Sequence, residues 1–137
     1  MSLPTDLWSA IYTKLSGMSA ITSQLAASTA IYHAAAKDNA TFPYIVFSIQ
    51  AGGPENINPS DMLDVLYNIR AISDVDMETA GLIDAAISAA LHSGTISVTG
   101  YTNFWIRRET DIAFAQVLNN GITTYTSGGL YRIRLTA

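Results

Sequence analysis

The chain predicts an α+β fold: two main helices packed on a mainly antiparallel β-sheet, with an extended β-hairpin loop. Three observations carry this reading. Helical periodicity marks residues 5–16 and 75–92, a dense apolar run marks the strand 44–50 and alternation over part of its length marks 62–73, and the order runs α, β, β, α, then further strands. The 137 residues suit one domain, taken as 1–137, of a length that can bury about two-thirds of its surface.

From the N-terminus, Leu7, Trp8, Ile11, Tyr12 and Leu15 share one helical face, with Pro4 tolerated in the first turn and Gly17 ending the helix. A second short helix is expected over 19–26, and Ile31-Tyr32-His33 reads as a brief strand. Tyr44 to Gln50 is a strand whose Ile45, Phe47 and Ile49 point one way and Tyr44, Val46, Ser48 and Gln50 the other. Pro43 stands at its start, where a missing N–H costs least. In the strand 62–73, Leu63, Val65, Tyr67, Ile69 and Ala71 oppose Asp64, Asn68 and Arg70. Leu66 and Ile72 interrupt the polar side, so that side is expected to be partly covered as well.

Between these strands, GGPENINPSDM is too long and irregular for a tight hairpin. It is read as an extended, mobile loop over 51–62. Helix 75–92 follows, capped by Ser73 or Asp74, with Asp76 and Glu78 at the positive end of its dipole. Its core face is expected to be Leu82, Ile83, Ala86, Ile87, Ala90 and Leu91, and Gly94 closes it. Residues 95–98, 103–109 and 130–136 read as strands, 112–118 is ambiguous, and Asn119-Asn120-Gly121 is a turn.

Composition limits function. Half the chain is hydrophobic (49%) and only 13% is charged, against about 25% in ordinary soluble domains. So few charges point to apolar surface covered by a partner or by self-assembly. The net charge of −4 opposes tight binding to phosphate backbones. No cysteine is present, no stretch is apolar and long enough to span a membrane, and the first residues lack the basic-then-apolar pattern of a signal peptide.

No catalytic residue, cofactor or metal is called for. His33 and His92 stand far apart without ligand spacing and are read as structural. Asp74, Asp76 and Glu78 start like a calcium loop, but Thr79 and Ala85 occupy the positions that need Gly and Glu. The glycine pairs 52–53 and 128–129 fit no phosphate-binding pattern. Carboxylate pairs such as Asp61 with Asp64, or Glu109 with Asp111, are read as solvated surface. Four of the five arginines cluster as Arg107-Arg108 and Arg132/Arg134. Two readings stay open for them: an ion-pair surface between subunits, or an ordinary solvated sheet face.

The order of segments L-W-x-x-I-Y-x-x-L, A-I-Y-H, F-P-Y-I-V-F-S-I, a Gly-rich loop, Y-N-I-R-A-I-S-D and A-G-L-I-D-A-A-I-S-A-A-L-H resembles the tail terminator (tail completion, minor tail protein) family of tailed bacteriophages and prophages. The likeness covers 5–92, with G-G-L-Y-R-I-R-L fitting a closing strand. It implies a structural protein, not an enzyme. Its subunits would form a homo-oligomeric ring, a hexamer, that caps the tail tube, ends tube polymerisation and offers a surface for head–tail joining. Its partners would be the tail tube protein and a head-side connector protein, with DNA passing through without sequence-specific binding and no membrane involved. The place would be the head-proximal end of the virion tail, after synthesis in the host cytoplasm. The interface residues expected are Gly52, Gly53, Pro54, Glu55, Asn56, Ile57 and Asn58 of the loop, with Arg107, Arg108, Arg132 and Arg134. Two alternatives stay open: another connector or tube-like ring subunit, and a small ligand-binding or enzymatic α+β domain.

Overall fold

The computed structural model describes residues 6–27, 29–34, 41–57, 60–92, 94, 96, 102–117 and 121–136. Helix α1 spans Asp6–Ser16 and α2 the single turn Ser19–Thr22, shorter than the 19–26 expected. Strands β1 (Ile31–His33), β2 (Tyr44–Ile57) and β3 (Ser60–Ser73) lead to helix α3 (Met77–Leu91). Strands β4 (Thr102–Val117) and β5 (Thr123–Thr136) close the chain.

The five strands form one sheet in the order β1-β2-β3-β5-β4. Only the β1–β2 pairing is parallel. Because β3 and β4 both run antiparallel to β5, the β3–α3–β4 connection carries the chain across β5, and α3 lies over β5 and β3. That crossover is why β5, the last strand, sits inside the sheet and β4 becomes its edge.

The α+β expectation holds, and most of its packing follows from period. Leu7, Ile11 and Leu15 of α1 enter one core with Ile83, Ile87 and Leu91 of α3 and with Val65, Tyr67, Ile69, Tyr131, Ile133 and Leu135 of the sheet. Each fully buried Leu or Ile contributes about 1.5–3 kcal/mol of transfer free energy. Trp8, expected on the same face as Leu7, is 42% exposed and stacks flat on His33 instead.

Several expectations need correction. Residues 51–57 and 60–62, expected to form a loop, are paired strand: the β2–β3 ladder runs from Tyr44↔Ile72 out to Ile57↔Ser60. The hairpin is extended because its strands are long. A register shift between Ile49 and Ala51 absorbs one residue. Ile49, paired with Tyr67, keeps the face of Ile45 and Phe47 as expected, but it lies beyond the last β1 pairing at Phe47 and is 39% exposed. The cap of α3 is Asp76, not Ser73 or Asp74: its Oδ1 accepts from the Thr79 N–H at 2.8 Å and from the Thr79 hydroxyl at 2.8 Å. The buried face is Ala80, Ile83, Asp84, Ile87, Ala90 and Leu91, with Ala86 packed against the core, and Leu82, expected inside, is 57% exposed. The ambiguous segment 112–117 is the outer half of β4. Gly121 has φ +83°, a value that favours glycine at the turn. Leu118, Asn119, Asn120 and most of the strand expected at 95–98 lie outside the described residues.

Candidate functional site

All three helices contribute to the core on one face of the sheet, and the chain's arginines divide between that face and the other. Arg108 points to the helix side. Its Nη1 and Nη2 donate to the two carboxylate oxygens of Asp84 on α3, at 2.7 and 2.8 Å. Nη1 also donates to the Tyr131 hydroxyl (3.0 Å), Nη2 to the Gly128 carbonyl (2.8 Å), and Nε to Asp111 (2.8 Å). A guanidinium has five N–H donors, and all five are used within the chain. The Asp84 hydrogen bonds push the Arg108 pKa further up, against the effect of burial. The Tyr131 hydroxyl is raised by its burial, with Arg108 pulling the other way.

Gly129 explains how so large a group fits. A Cβ on Gly129 would stand 2.7 Å from the Arg108 Nε, and one on Gly128 would meet the backbone of Ile69 and Arg70. Gly129 therefore clears the room in which the guanidinium lies against β5, and Gly128 lets β5 approach the β3 backbone closely. Sequence reasoning missed Asp84, which stands among alanines and isoleucines. The available signal is its spacing, four residues after buried Ala80 and three before buried Ile87.

On the opposite face, Trp105, Arg107, Arg132 and Arg134 gather where β4 and β5 pair, with Arg107 directly across from Arg132. Two like charges facing each other on a ladder repel. Carboxylates offset this: Arg132 donates to Asp64 at 2.7 Å and to Glu109 at 2.8 Å, and Arg134 to Asp64 at 3.2 Å. Glu109, then Asp64, hold the Arg132 pKa above its usual value. The guanidinium carbons of Arg107 and Arg134 lie 4.7 and 5.5 Å from the Trp105 ring centroid, within cation–π range. Arg70 of β3 lies on this face too, and its Nε and the Asn68 Oδ1 are buried without a partner among the described residues.

Of the residues expected at an interface, Gly52 to Ile57 are the outer half of β2, beyond its last β1 pairing at Phe47, and Asn58 lies outside the described residues. The structure brings Arg107, Arg132 and Arg134 together and sends Arg108 to the other side of the sheet. His33 is packed between Trp8 and Phe47, and the His92 Nδ1 accepts the Arg108 backbone N–H at 3.1 Å. Among the described residues no group of three or more His, Cys, Asp or Glu could hold a metal ion, and no helix is long and apolar enough to cross a membrane.

A clamp that locks a helix to a sheet, and a charged aromatic face on the sheet's other side, are the working parts of a structural module. The chain belongs to the family described as tail completion protein gp17, whose family model matches residues 9–136. In fold it is similar to a chain of the solved structure titled "Virion of native gene transfer agent (GTA) particle". The TM-score is 0.74 at 18% identity, over 96% of this chain and 95% of that one. No curated protein matches the sequence. The protein is therefore a structural component of a phage tail, not an enzyme.

Proposed function

We propose that the whole chain, as one domain, forms a ring of six subunits that caps the finished tail tube at its head-proximal end. The ring ends tube polymerisation, joins the tube protein on one side and the head-side connector on the other, and leaves a hole through which DNA passes without sequence-specific contacts. Family membership over residues 9–136 is the observation that carries this reading. Low charge content supports it, since subunit contacts then cover apolar surface. Arg107, Arg132 and Arg134 serve the contact between subunits, and the β2–β3 hairpin, Gly52 to Asn58 included, serves the contact with tube or connector. Arg108 has no free donor to offer a neighbour and is assigned instead to holding α3.

Light scattering and negative-stain imaging of the protein, alone and with purified tail tubes, test the proposal. Discrete rings of about six subunits, free or seated on tube ends, are expected. Unlimited tubes would favour a tube-like subunit, and a monomer that ignores tube ends would overturn the reading. A hairpin shortened in register, without the pairs Glu55/Met62, Asn56/Asp61 and Ile57/Ser60, should still form rings but no longer cap tubes.

A further inference from the structure

Among the residues whose side chains are described, the face of the sheet that bears Trp105 holds four guanidinium groups, Arg70, Arg107, Arg132 and Arg134, and the carboxylates Asp64 and Glu109 that bond Arg132 and Arg134. Four of the chain's five arginines thus share one face of a protein whose net charge is −4. Arg107 is exposed, and its contact among the described residues is the Trp105 ring. The buried, unpartnered Arg70 Nε and Asn68 Oδ1 add a donor and an acceptor to that face. A buried polar atom in a native structure calls for a partner.

The matching chemistry is on the same chain. Asp74, Asp76 and Glu78 stand exposed around the start of α3, with no salt bridge among the described residues. Beside them are Val75, 66% exposed, and Leu82, 57% exposed and one helical turn on from Glu78. This is an acidic patch with an apolar centre, where the sheet face is a basic patch with an indole at its centre.

No copy can join its own two patches. They lie on opposite faces of the sheet, and Trp105, Arg107 and Arg134 stand towards the end of β3 away from α3, with Arg70 nearer to it. Arg134 and Trp105 stand level with Asp64, whereas α3 begins just after Ser73, about 30 Å further along the strand. We infer that the sheet face around Trp105, Arg107 and Arg134 of one subunit receives the acidic start of α3, Asp74 to Leu82, of a second copy of this chain. The contact joins two different surfaces, so it is head-to-tail and propagates round a ring. It rests on the ring reading above and names the two surfaces that meet.

Charge reversal tests it by sedimentation velocity and negative-stain imaging over a range of concentration and salt, with circular dichroism to show that each variant is folded. Arg107→Glu and Glu78→Arg both leave the Asp76 cap and the Arg108 clamp untouched. Each alone should raise the concentration needed for half-assembly by about tenfold or more, because like charges facing across an interface are strongly penalised. The double variant should regain assembly. An equimolar mixture of the two single variants should also assemble, with the two alternating around the ring. Wild-type assembly should weaken as salt rises. If the wild type forms rings and both reversals leave them unchanged, or neither the double variant nor the mixture recovers, this contact is wrong while the ring stands. If the wild type forms no ring, alone or on tubes, the ring reading falls and this contact with it.

Discussion

Replacing Arg108 by methionine keeps an unbranched stem in the slot beside Gly129 and removes every charge-assisted bond to Asp84. The Asp84 carboxylate, 11% exposed, then keeps only the Ser127 hydroxyl at 3.1 Å, and the Gly128 carbonyl and Tyr131 hydroxyl lose the same donor. Breaking a buried ion pair from one side costs about 3–5 kcal/mol. The slight exposure of both partners, 15% and 11%, argues for the lower end, about 3 kcal/mol. For a domain of this size that is a fall of about 10 °C in Tm. In urea, with a slope of about 1.5–2 kcal/mol/M, the midpoint should fall by about 1.5–2 M. Asp84→Leu should cost a similar amount, because it strands the guanidinium. The double variant Arg108→Met with Asp84→Leu should recover most of the loss, since neither charge is then left buried alone. Equilibrium urea unfolding followed by circular dichroism measures all three. A loss under about 1 kcal/mol for Arg108→Met, or a double variant as unstable as the sum of the singles, would refute the clamp.

Gly128→Ala should destabilise by about 3 kcal/mol or more, read as lost soluble yield or a lowered urea midpoint, because its Cβ meets β3 backbone, including the Arg70 Cα at 2.7 Å. Acid stability should depend on Asp76, whose pKa is lowered by hydrogen bonds from the Thr79 backbone and hydroxyl. A lowered native pKa stabilises fully above the ordinary aspartate value and is lost as pH falls through the native one. Asp76→Asn, which keeps a cap, should therefore remove part of the fall in Tm between about pH 5 and pH 2. At the alkaline end, burial raises the Tyr67 and Tyr131 hydroxyls. Their contribution is complete below the usual tyrosine value of 10.0 and is lost as pH rises through the higher native values. Tyr67→Phe should make the alkaline fall in Tm shallower, with phenolate absorbance reporting the titration.

Which parts were legible in the sequence follows from how far their causes reach along the chain. The faces of α1 and β3 are written in local period, and the alternation of Val65, Tyr67, Ile69 and Ala71 puts all four in the core. Asn, Pro and Gly around 52–59 read as a loose loop because turn-forming residues dominate locally. The pairing of Glu55 with Met62 and Asn56 with Asp61 overrides that preference. The start of α3 moved by two to three residues because three neighbouring side chains, Ser73, Asp74 and Asp76, could each cap it. Asp84 lies inside in place of Leu82 where Arg108 and Ser127, distant in the chain, satisfy its carboxylate.

The sequence by itself determined the α+β class and the family likeness, since these rest on composition, period and segment order. Only the tertiary structure decided that Arg107 and Arg108, adjacent in the chain, serve opposite faces. Neighbours on a strand alternate sides, but which side holds the helices depends on where α3 carries the chain across β5. That crossover seats Asp84 over Arg108 and leaves Arg107 beside Trp105, Arg132 and Arg134 on the face without a helix among the described residues. No window of sequence contains it, because the partners are brought together from positions up to 70 residues apart.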